Sequence, residues 1–330
     1  MQGHPWTPLH ATLHRGLKAR SLLPPYTSIL VAVSGGQDSL CLARLLLDLQ
    51  PKWQWQLAIA HCDHRWRNDS AANAHHVHQL AESWHLPYYQ STAATPPNTE
   101  ATARTWRYEC LLQIAQDIGA TAIVTGHTAS DRAETLLYNL VRGSGMDGLQ
   151  ALQWERSLTP TIRLVRPLLQ FQRSQTAQFC QEHGLPVWDD ATNRDRHYRR
   201  NRIRLELLPY LQTHFNPQVE TTLAQTAEIL QAEVAYLDAE TTRLYAQVVQ
   251  TTTTPVRLDR TALKLAPLAL QRRVCRRFLQ EQLLTAPNFE QIEKLVALLH
   301  APNRTQTDPY PGGAIARVEH PWIHLDQRDP

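Results

Sequence analysis

The sequence predicts an α/β protein in which a parallel sheet, with helices on both faces, precedes a smaller and mainly helical domain ending in a β-hairpin. Over the first half of the chain, four apolar strand patterns alternate with four helical patterns, which is typical of a parallel sheet built from βαβ units. After residue 217 the apolar residues take helical spacing, and no glycine occurs before Gly312. At 330 residues the chain is long enough for two domains.

The elements of the first domain follow in order along the chain. Strands are predicted at residues 29–33, 57–61, 87–90 and 121–125. Helices are predicted at residues 39–49, 71–85, 101–118 and 130–142. Because ligands of such sheets bind beyond the carboxyl ends of the strands, functional residues are expected in the loops that follow the strands.

The second domain is predicted to begin at a seam within residues 209–217, which divides the chain into domains of residues 1–212 and 213–330. Its composition shifts to Ala, Gln, Thr, Glu and Leu. The predicted elements are a long or broken helix at 216–249, helices at 267–284 and 288–299, and the hairpin at 314–325.

A glycine-rich loop joins the first strand to the first helix. It consists of Ser34, Gly35, Gly36, Gln37, Asp38 and Ser39. The glycines permit a sharp turn and close approach to a ligand, and the following helix N-terminus directs unpaired N–H groups at an anion. The lysine of the Gly-x-x-x-x-Gly-Lys-Ser/Thr loop is missing. The loop therefore predicts a different phosphate site, with Asp38 available to a magnesium ion, and a β–α turn without a ligand is the alternative.

Composition excludes several classes of protein. A hydrophobic content of 42% fits a globular chain. The five cysteines are scattered without a Cys-x-x-Cys pair, so neither a disulfide framework nor a four-cysteine zinc site is indicated. The N-terminus lacks a secretion signal and no later segment is apolar enough to span a bilayer, so a cytoplasmic protein without membrane contact is expected.

Charged residues concentrate in a few places, although the net charge is only +3. Residues 192–204 contain six arginines and residues 272–277 contain four, a distribution that suits phosphate recognition or simply a solvated face. His127, Asp131 and Glu134 follow the fourth strand at spacings of four and three, which places them on one helix face. Taken alone, this stripe is better interpreted as a solvated helix face with an ordinary acidic first turn.

Histidines after the second strand raise the possibility of zinc. His61, Cys62, Asp63 and His64 are followed by further histidines at 75, 76 and 78. The latter lie on a predicted helix and cannot all converge on one ion, so a nucleotide pocket is the favoured interpretation of residues 61–64.

Residues 125–145 resemble the Gly-His-Asn-x-Asp-Asp-x-x-Glu-Thr…Arg-Gly-Ser-Gly signature of the tRNA(Ile)-lysidine synthetases, and loop 34–39 resembles the PP-loop of the ATP pyrophosphatase superfamily to which they belong. The resemblance extends over residues 29–210. Further matching segments are 61–64, 100–108, 166–169, 188–193 and 200–209.

The resemblance implies a reaction that uses ATP, Mg²⁺, free L-lysine and a tRNA(Ile) with the anticodon CAU. ATP adenylates the C2 carbonyl oxygen of the first anticodon cytidine, and the ε-amine of lysine then displaces AMP. The departing pyrophosphate needs loop amides, magnesium and cations around it. The resemblance assigns ATP binding to residues 34–39 with His61, Asp63 and His64. It assigns magnesium to Asp38 and phosphate or adenylate charge to Arg107.

The same resemblance implies the remaining roles. Asp131 and Glu134 are the candidates for binding lysine, whose amine must lose a proton before it attacks. His127 either stabilises phosphoryl oxygens, relays a proton or caps the helix. The candidates for tRNA contact are Arg199, Arg200, Arg202 and Arg204.

Two positions depart from the family signature, and three alternatives remain open. Ser130 stands where an aspartate is more frequent and Thr128 where asparagine is; with Asp131 and Glu134 retained, Ser130 is interpreted as a tolerated exchange. A tRNA thiolase would need a sulfur-carrying cysteine or cluster-binding Cys-x-x-Cys motifs. A glutamine-fed synthetase would need an exposed N-terminal cysteine where Gln2 stands, and an inactive RNA-binding module would not need the intact loop. A homodimer is left open.

Overall fold

A computed structural model of the protein describes residues 6–190, 192, 195–253 and 255–326. Gln2, and Asn193 and Arg194 at the start of the arginine-rich segment, lie outside the described residues. The chain divides into two compact units, Met1–Gln231 and Ala232–Pro330.

The first unit contains a six-stranded sheet in the order β3-β2-β1-β4-β6-β5. Its strands are β1 (Ser28–Ala32), β2 (Gln56–Asp63), β3 (Tyr88–Thr92), β4 (Ala122–Thr125), β5 (Glu155–Ser157) and β6 (Arg163–Val165). All neighbouring pairs are parallel except β5 with β6. The predicted α/β class and its four parallel strands are confirmed, while the two short strands at the edge were not predicted.

Helices cover both faces of this sheet, because the central strands are apolar on both sides. Ile29 and Val31 of β1 belong to one core cluster and Leu30 to the other. The helices are α1 (Pro8–Arg20), α2 (Gln37–Trp53), α3 (Ser70–Ser83), α4 (Glu100–Asp117), α5 (Ala129–Val141), α6 (Met146–Leu149), α7 (Arg173–Glu182), α8 (Arg199–Arg202) and α9 (Leu208–His214). A π-helical turn, Ile203–Leu207, joins α8 to α9. The four helices predicted after the strands correspond to α2 through α5; α1 and α6 to α9 were not predicted.

The second unit contains a four-stranded antiparallel sheet in the order β7-β8-β10-β9, packed with helices around a core that includes Val274 and Phe278. Its elements, after α10 (Val219–Val248), are β7 (Val249–Gln250), β8 (Arg257–Asp259), α11 (Arg260–Leu263), α12 (Leu268–Gln282), α13 (Phe289–Leu298), β9 (Ile315–Glu319) and β10 (Trp322–Asp326). The helical character and the terminal hairpin are confirmed; β7 and β8 were not predicted.

The two compact units meet inside α10, between Gln231 and Ala232, and the domain boundary at residues 212 and 213 stays a prediction. The first part of this helix belongs to the first unit because its side chains are bound there. Glu228 accepts hydrogen bonds from Arg132 Nη1 at 2.6 Å and from Trp154 Nε1 at 2.7 Å. No composition change marks this position in the sequence.

Candidate active site

The glycine-rich loop lies between the end of β1 and the start of α2, as predicted. Ser39 Oγ donates to the Gly36 carbonyl at 2.8 Å and accepts from the Ser34 amide at 3.1 Å. Gly36 is the N-cap residue of α2, and a glycine has no side chain with which to cap the helix amides. The first turn of α2 therefore offers backbone donors to an anion.

Two glycines fix the distance between this loop and its neighbours. Gly35 has a φ of +88°, and a Cβ there would collide with Asn73 Oδ1. Asn73, on α3, donates from Nδ2 to the Ser34 carbonyl at 3.0 Å and so holds the loop in place. A Cβ on Gly126, which follows β4, would lie 2.8 Å from the backbone of Asp38. The end of β4 thus packs directly on the phosphate loop.

A cavity of about 730 Å³ lies against the loop. Its lining combines loop residues, the ends of β2 and β4 and polar residues from four helical segments. The predicted site residues among them are Ser34, Gly36, Gln37, Asp38, Ser39, His64, Arg107, His127, Asp131 and Arg204. The structure thus brings the phosphate loop and the start of α5 with Asp131, here called the acidic wall, to one cavity.

Arg173, at the start of α7, is the functional residue that sequence reasoning missed. Its Nε donates to Asp38 Oδ2 at 3.2 Å, its Nη1 to Glu134 Oε1 at 3.0 Å and its Nη2 to Asp131 Oδ1 at 2.8 Å. One guanidinium therefore joins three predicted site carboxylates. No local pattern around residue 173 signals this, since its partners lie 39 or more positions away.

Glu134 lies behind this arrangement rather than on the cavity wall. It is buried, and Arg204 donates to it from Nε at 2.7 Å and from Nη2 at 2.9 Å. With Arg173 also on Oε1, both carboxylate oxygens are engaged by arginines. Glu134 can therefore receive a lysine ammonium only if an arginine moves away.

Burial and charge set the protonation of this cluster. Burial raises the pKa of Asp38, an effect that Arg173 partly offsets. Burial alone would raise the pKa of Asp131 as well, but Arg173, His127 and the hydrogen bonds from Thr128 hold it below its usual value. Burial disfavours the charged form of Arg173, yet Asp131, Glu134 and Asp38 together raise its pKa. Asp131 and Arg173 are therefore a charged pair at neutral pH.

The histidines of the site are uncharged. Burial lowers the pKa of His127 far below its usual value, and its Nδ1 pairs with Thr125 Oγ1 at 2.8 Å. Burial also lowers the pKa of His61, whose Nδ1 donates to the Val33 carbonyl at 2.8 Å. Burial, followed by Arg107 and other cations, lowers the pKa of His64 to about 4. As neutral imidazoles they can donate and accept hydrogen bonds, but they add no charge.

A second cavity, of about 450 Å³, shares seven lining residues with the first: Ser34, Cys62, His64, Arg107, Tyr108, His127 and Asp190. Beyond these it is lined by arginines and aromatic residues as well as by His61 and Asp63. These arginines and aromatic residues are Arg65, Arg67, Arg104, Arg142, Arg200, Trp66 and Tyr138. Arginine and aromatic side chains together suit a nucleotide with its phosphate and base.

Both departures from the family signature have a structural explanation. Thr128 caps α5: its Oγ1 and its amide both donate to Asp131 Oδ2 at 2.8 Å. Ser130 is buried, and its Oγ accepts from the Arg173 amide at 3.0 Å. A serine hydroxyl provides the acceptor that an aspartate would provide, so the start of α7 remains anchored.

The predicted tRNA-contacting arginines occupy different environments. Arg204 lines the larger cavity and Arg200 the smaller one. Arg199 and Arg202 are exposed and line neither, and Arg202 Nε lies 3.7 Å from Glu206. In the second unit, Arg272 pairs with Glu293 at 2.7 Å.

The donor set around Asp38 fits a magnesium ion. Asp38 and Asp131 converge on a single cationic group, the Arg173 guanidinium, and Asp38 also accepts from Thr176 Oγ1. Mg²⁺ is commonly held by one or two carboxylates together with phosphate oxygens. Among the described residues no group of three or more His, Cys, Asp or Glu is placed to bind a metal without such phosphates.

Comparisons with known proteins agree with this architecture. A family model described as a PP-loop domain matches residues 11–211, and one described as the TilS substrate binding domain matches residues 258–320. A tRNA(Ile)-lysidine synthase of Nostoc sp. is 60% identical, with 97% of both chains covered. One of Synechocystis sp. is 54% identical, covering 95% of this chain and 96% of its own.

A solved structure shares the fold. The U34-tRNA thiolase NcsA of Methanococcus maripaludis aligns with a TM-score of 0.57 at 14% identity, covering 68% of this chain and 78% of its own. At that identity the likeness concerns the fold alone. Within the part of the chain that is described, no helix is long and apolar enough to cross a membrane.

Proposed function

The chain belongs to the tRNA(Ile)-lysidine synthase family, and we propose that the cluster of Asp38, Asp131 and Arg173 is where its ATP and lysine meet. The family resemblance of the sequence is confirmed, and with it the ligase function: ATP-dependent formation of lysidine at the first anticodon cytidine of tRNA(Ile). The observation that carries the residue roles is the single cavity shared by the phosphate loop and the acidic wall.

In the first step, the cytidine O2 attacks the α-phosphorus of ATP and the bond to pyrophosphate breaks. Ser34, Ser39 and the amides at the start of α2 receive the phosphates. Arg107 lines both cavities and stabilises charge on the adenylate. Neutral His127 donates or accepts a hydrogen bond at the reacting oxygens, which its lowered pKa permits.

Asp38 would hold a magnesium ion, and that ion would supply charge neutralisation at the phosphate oxygens. Asp38 is the proposed ligand because it is the loop carboxylate that lines the cavity. Thr176, which donates to the same carboxylate, orients it.

In the second step, the lysine Nε attacks C2, the C2–O bond breaks and AMP leaves with the oxygen. The amine must first lose its proton. Asp131 lines the cavity and is the proposed partner of the lysine ammonium, while Glu134 acts from behind by holding Arg173 and Arg204. Glu134 reaches lysine directly only when one of these arginines has moved.

The tRNA contacts are proposed on arginines. Arg200 and Arg204 are near the cavities, whereas the exposed Arg199 and Arg202 suit backbone phosphates. The matched substrate-binding region at 258–320 supplies further contacts. We place the reaction in the cytoplasm, consistent with five cysteines that are all free. The homodimer stays a prediction.

One assay tests the function and the lysine site together. The protein is incubated with ATP, labelled L-lysine and tRNA(Ile) bearing CAU, and label on tRNA is measured together with AMP release. Asp131→Asn is expected to raise the apparent KM for lysine about tenfold, which matches the loss of a charged hydrogen-bond partner, with little change in the KM for ATP. Unlabelled tRNA with the wild type would refute the function. An unchanged lysine KM in the variant would refute the role of Asp131.

A further inference from the structure

Arg173 holds one of the two carboxylate oxygens of Asp131, the proposed partner of lysine. Of the two carboxylate oxygens of Asp131, Oδ2 accepts both hydrogen bonds from Thr128, and Oδ1 accepts from Arg173 Nη2 at 2.8 Å. Thr128 and Asp131 form the capping box of α5, so the carboxylate is fixed to the helix. An ammonium group must therefore compete with Arg173 for Oδ1.

The carboxylates around Arg173 outnumber the guanidinium groups that pair with them. Within the described part of the chain, Asp38, Asp131 and Glu134 share two guanidinium groups, those of Arg173 and Arg204. Glu134 keeps a partner without Arg173, because Arg204 holds both of its oxygens. If the Arg173 guanidinium moves away, Glu134 therefore stays paired, while Asp38 and Asp131 lose the guanidinium that pairs with them. Both of these carboxylates line the cavity.

The side chain of Arg173 is placed to respond to ATP. It lines the same cavity as the phosphate loop, and 26% of the side chain is exposed. Its backbone is anchored to the loop, since Gln37 Nε2 donates to the Arg173 carbonyl at 2.9 Å. A guanidinium binds phosphate oxygens through two parallel hydrogen bonds, as it does carboxylate oxygens, and a triphosphate on the loop offers it several charged oxygens at once.

We propose that Arg173 is a positioning residue that fills the lysine site of the free enzyme and transfers to the phosphates when ATP binds, which opens Asp131 Oδ1 to the lysine ammonium. This rests on the proposed role of Asp131. ATP binding and lysine binding are then coupled, and the coupling is reciprocal: each substrate strengthens the binding of the other by the same factor. No covalent step is involved.

The test measures L-lysine binding to the full chain by calorimetry, with and without α,β-methylene-ATP and Mg²⁺. In the wild type, the analogue is expected to tighten lysine binding about tenfold, since one charged hydrogen bond no longer has to be broken. In Arg173→Met, lysine is expected to bind the free enzyme more tightly than the wild type does, with the gain from the analogue reduced below about threefold.

Arg272→Met is the control. It removes one guanidinium that pairs with Glu293 and lines neither cavity, so the gain from the analogue should remain as in the wild type. Thermal melts verify that the variants are folded. Should Arg173→Met not fold, Arg173→Gln is measured in its place, because it removes the charge but keeps amide donors; the gain from the analogue should again fall below about threefold.

Two results would overturn the proposal: wild-type lysine affinity that does not depend on the analogue, or a full gain in folded Arg173→Met. Failure of the lysine site itself is distinguishable. In that case Asp131→Asn binds lysine as well as the wild type does, whatever Arg173→Met shows.

Discussion

Gly126 is the position at which one added methyl group should disturb the site most directly. A Cβ at Gly126 would lie 2.8 Å from the carbonyl carbon and oxygen of Asp38 and 2.9 Å from the Ser39 amide. Ordinary contacts of a carbon atom are about 3.5 Å, so the strand end and the phosphate loop must separate by roughly 0.5 Å or more. These atoms are backbone and cannot rotate away.

Gly126→Ala should therefore cost about 1–3 kcal/mol of unfolding free energy, the range for overpacked positions. Displacement of the loop from the acidic wall should lower turnover by about a hundredfold, with the KM for ATP raised as well. The assays are urea unfolding and AMP release in the presence of tRNA and lysine.

Gly16→Ala supplies the matched control for this prediction. Its Cβ would lie 2.7 Å from Gln170 Nε2, a separation as short as those at Gly126, but that atom ends a flexible side chain. Because Gly16 is inside α1, alanine should contribute about 0.5–1 kcal/mol of helix stability, which offsets the shift of Gln170. Wild-type turnover and ATP KM in Gly126→Ala would refute the close packing of β4 on the loop.

Three further changes test the site. Asp38→Ala should lower pyrophosphate release at least about a hundredfold, because the loop loses its carboxylate for magnesium; release at the wild-type rate would contradict that role. His64 stays neutral in the folded protein down to about pH 4, whereas its usual pKa is 6.5. The unfolded chain therefore takes up this proton first, and the free energy of unfolding should fall as pH drops from 6.5 towards 4. In His64→Gln, the free energy of unfolding measured in urea should fall less between pH 7 and pH 5 than it does in the wild type. An equal fall in both proteins would contradict the lowered pKa of His64. Ser130→Ala should cost about 1 kcal/mol, as loss of a helix cap does; a free energy of unfolding equal to that of the wild type would exclude the hydrogen bond to the Arg173 amide.

The fold was largely predictable because its signals are local. Strand β1 and helix α2 are separated by a loop whose glycines indicate a turn. The apolar segment before this loop has the length of a buried strand. The short strands β5 and β6 have three residues each, too few to show a period. Helix α1 has polar residues, including His10 and His14, among its leucines, which hides its apolar face from inspection.

The site was predictable only in part, since sequence spacing shows which residues share a helix face but not what faces them. Asp131 and Glu134 lie on α5 as their spacing predicts, whereas His127 precedes the N-cap of the helix and is not on its face. The spacing did not separate Asp131, on the cavity wall, from Glu134, behind it. That distinction depends on Arg173 and Arg204, which reach α5 from α7 and from the π-helical turn.

The residue at position 130 affects how tightly Arg173 is held. An aspartate at this position would place a fourth carboxylate beside Arg173, in addition to Asp38, Asp131 and Glu134. Serine keeps the hydrogen bond to the Arg173 amide without that charge. Because like charges in a buried cluster raise the cost of leaving any one of them unpaired, the neutral hydroxyl makes departure of the Arg173 guanidinium easier. Serine in place of aspartate thus keeps the start of α7 anchored and loosens the hold on the Arg173 guanidinium over Asp131.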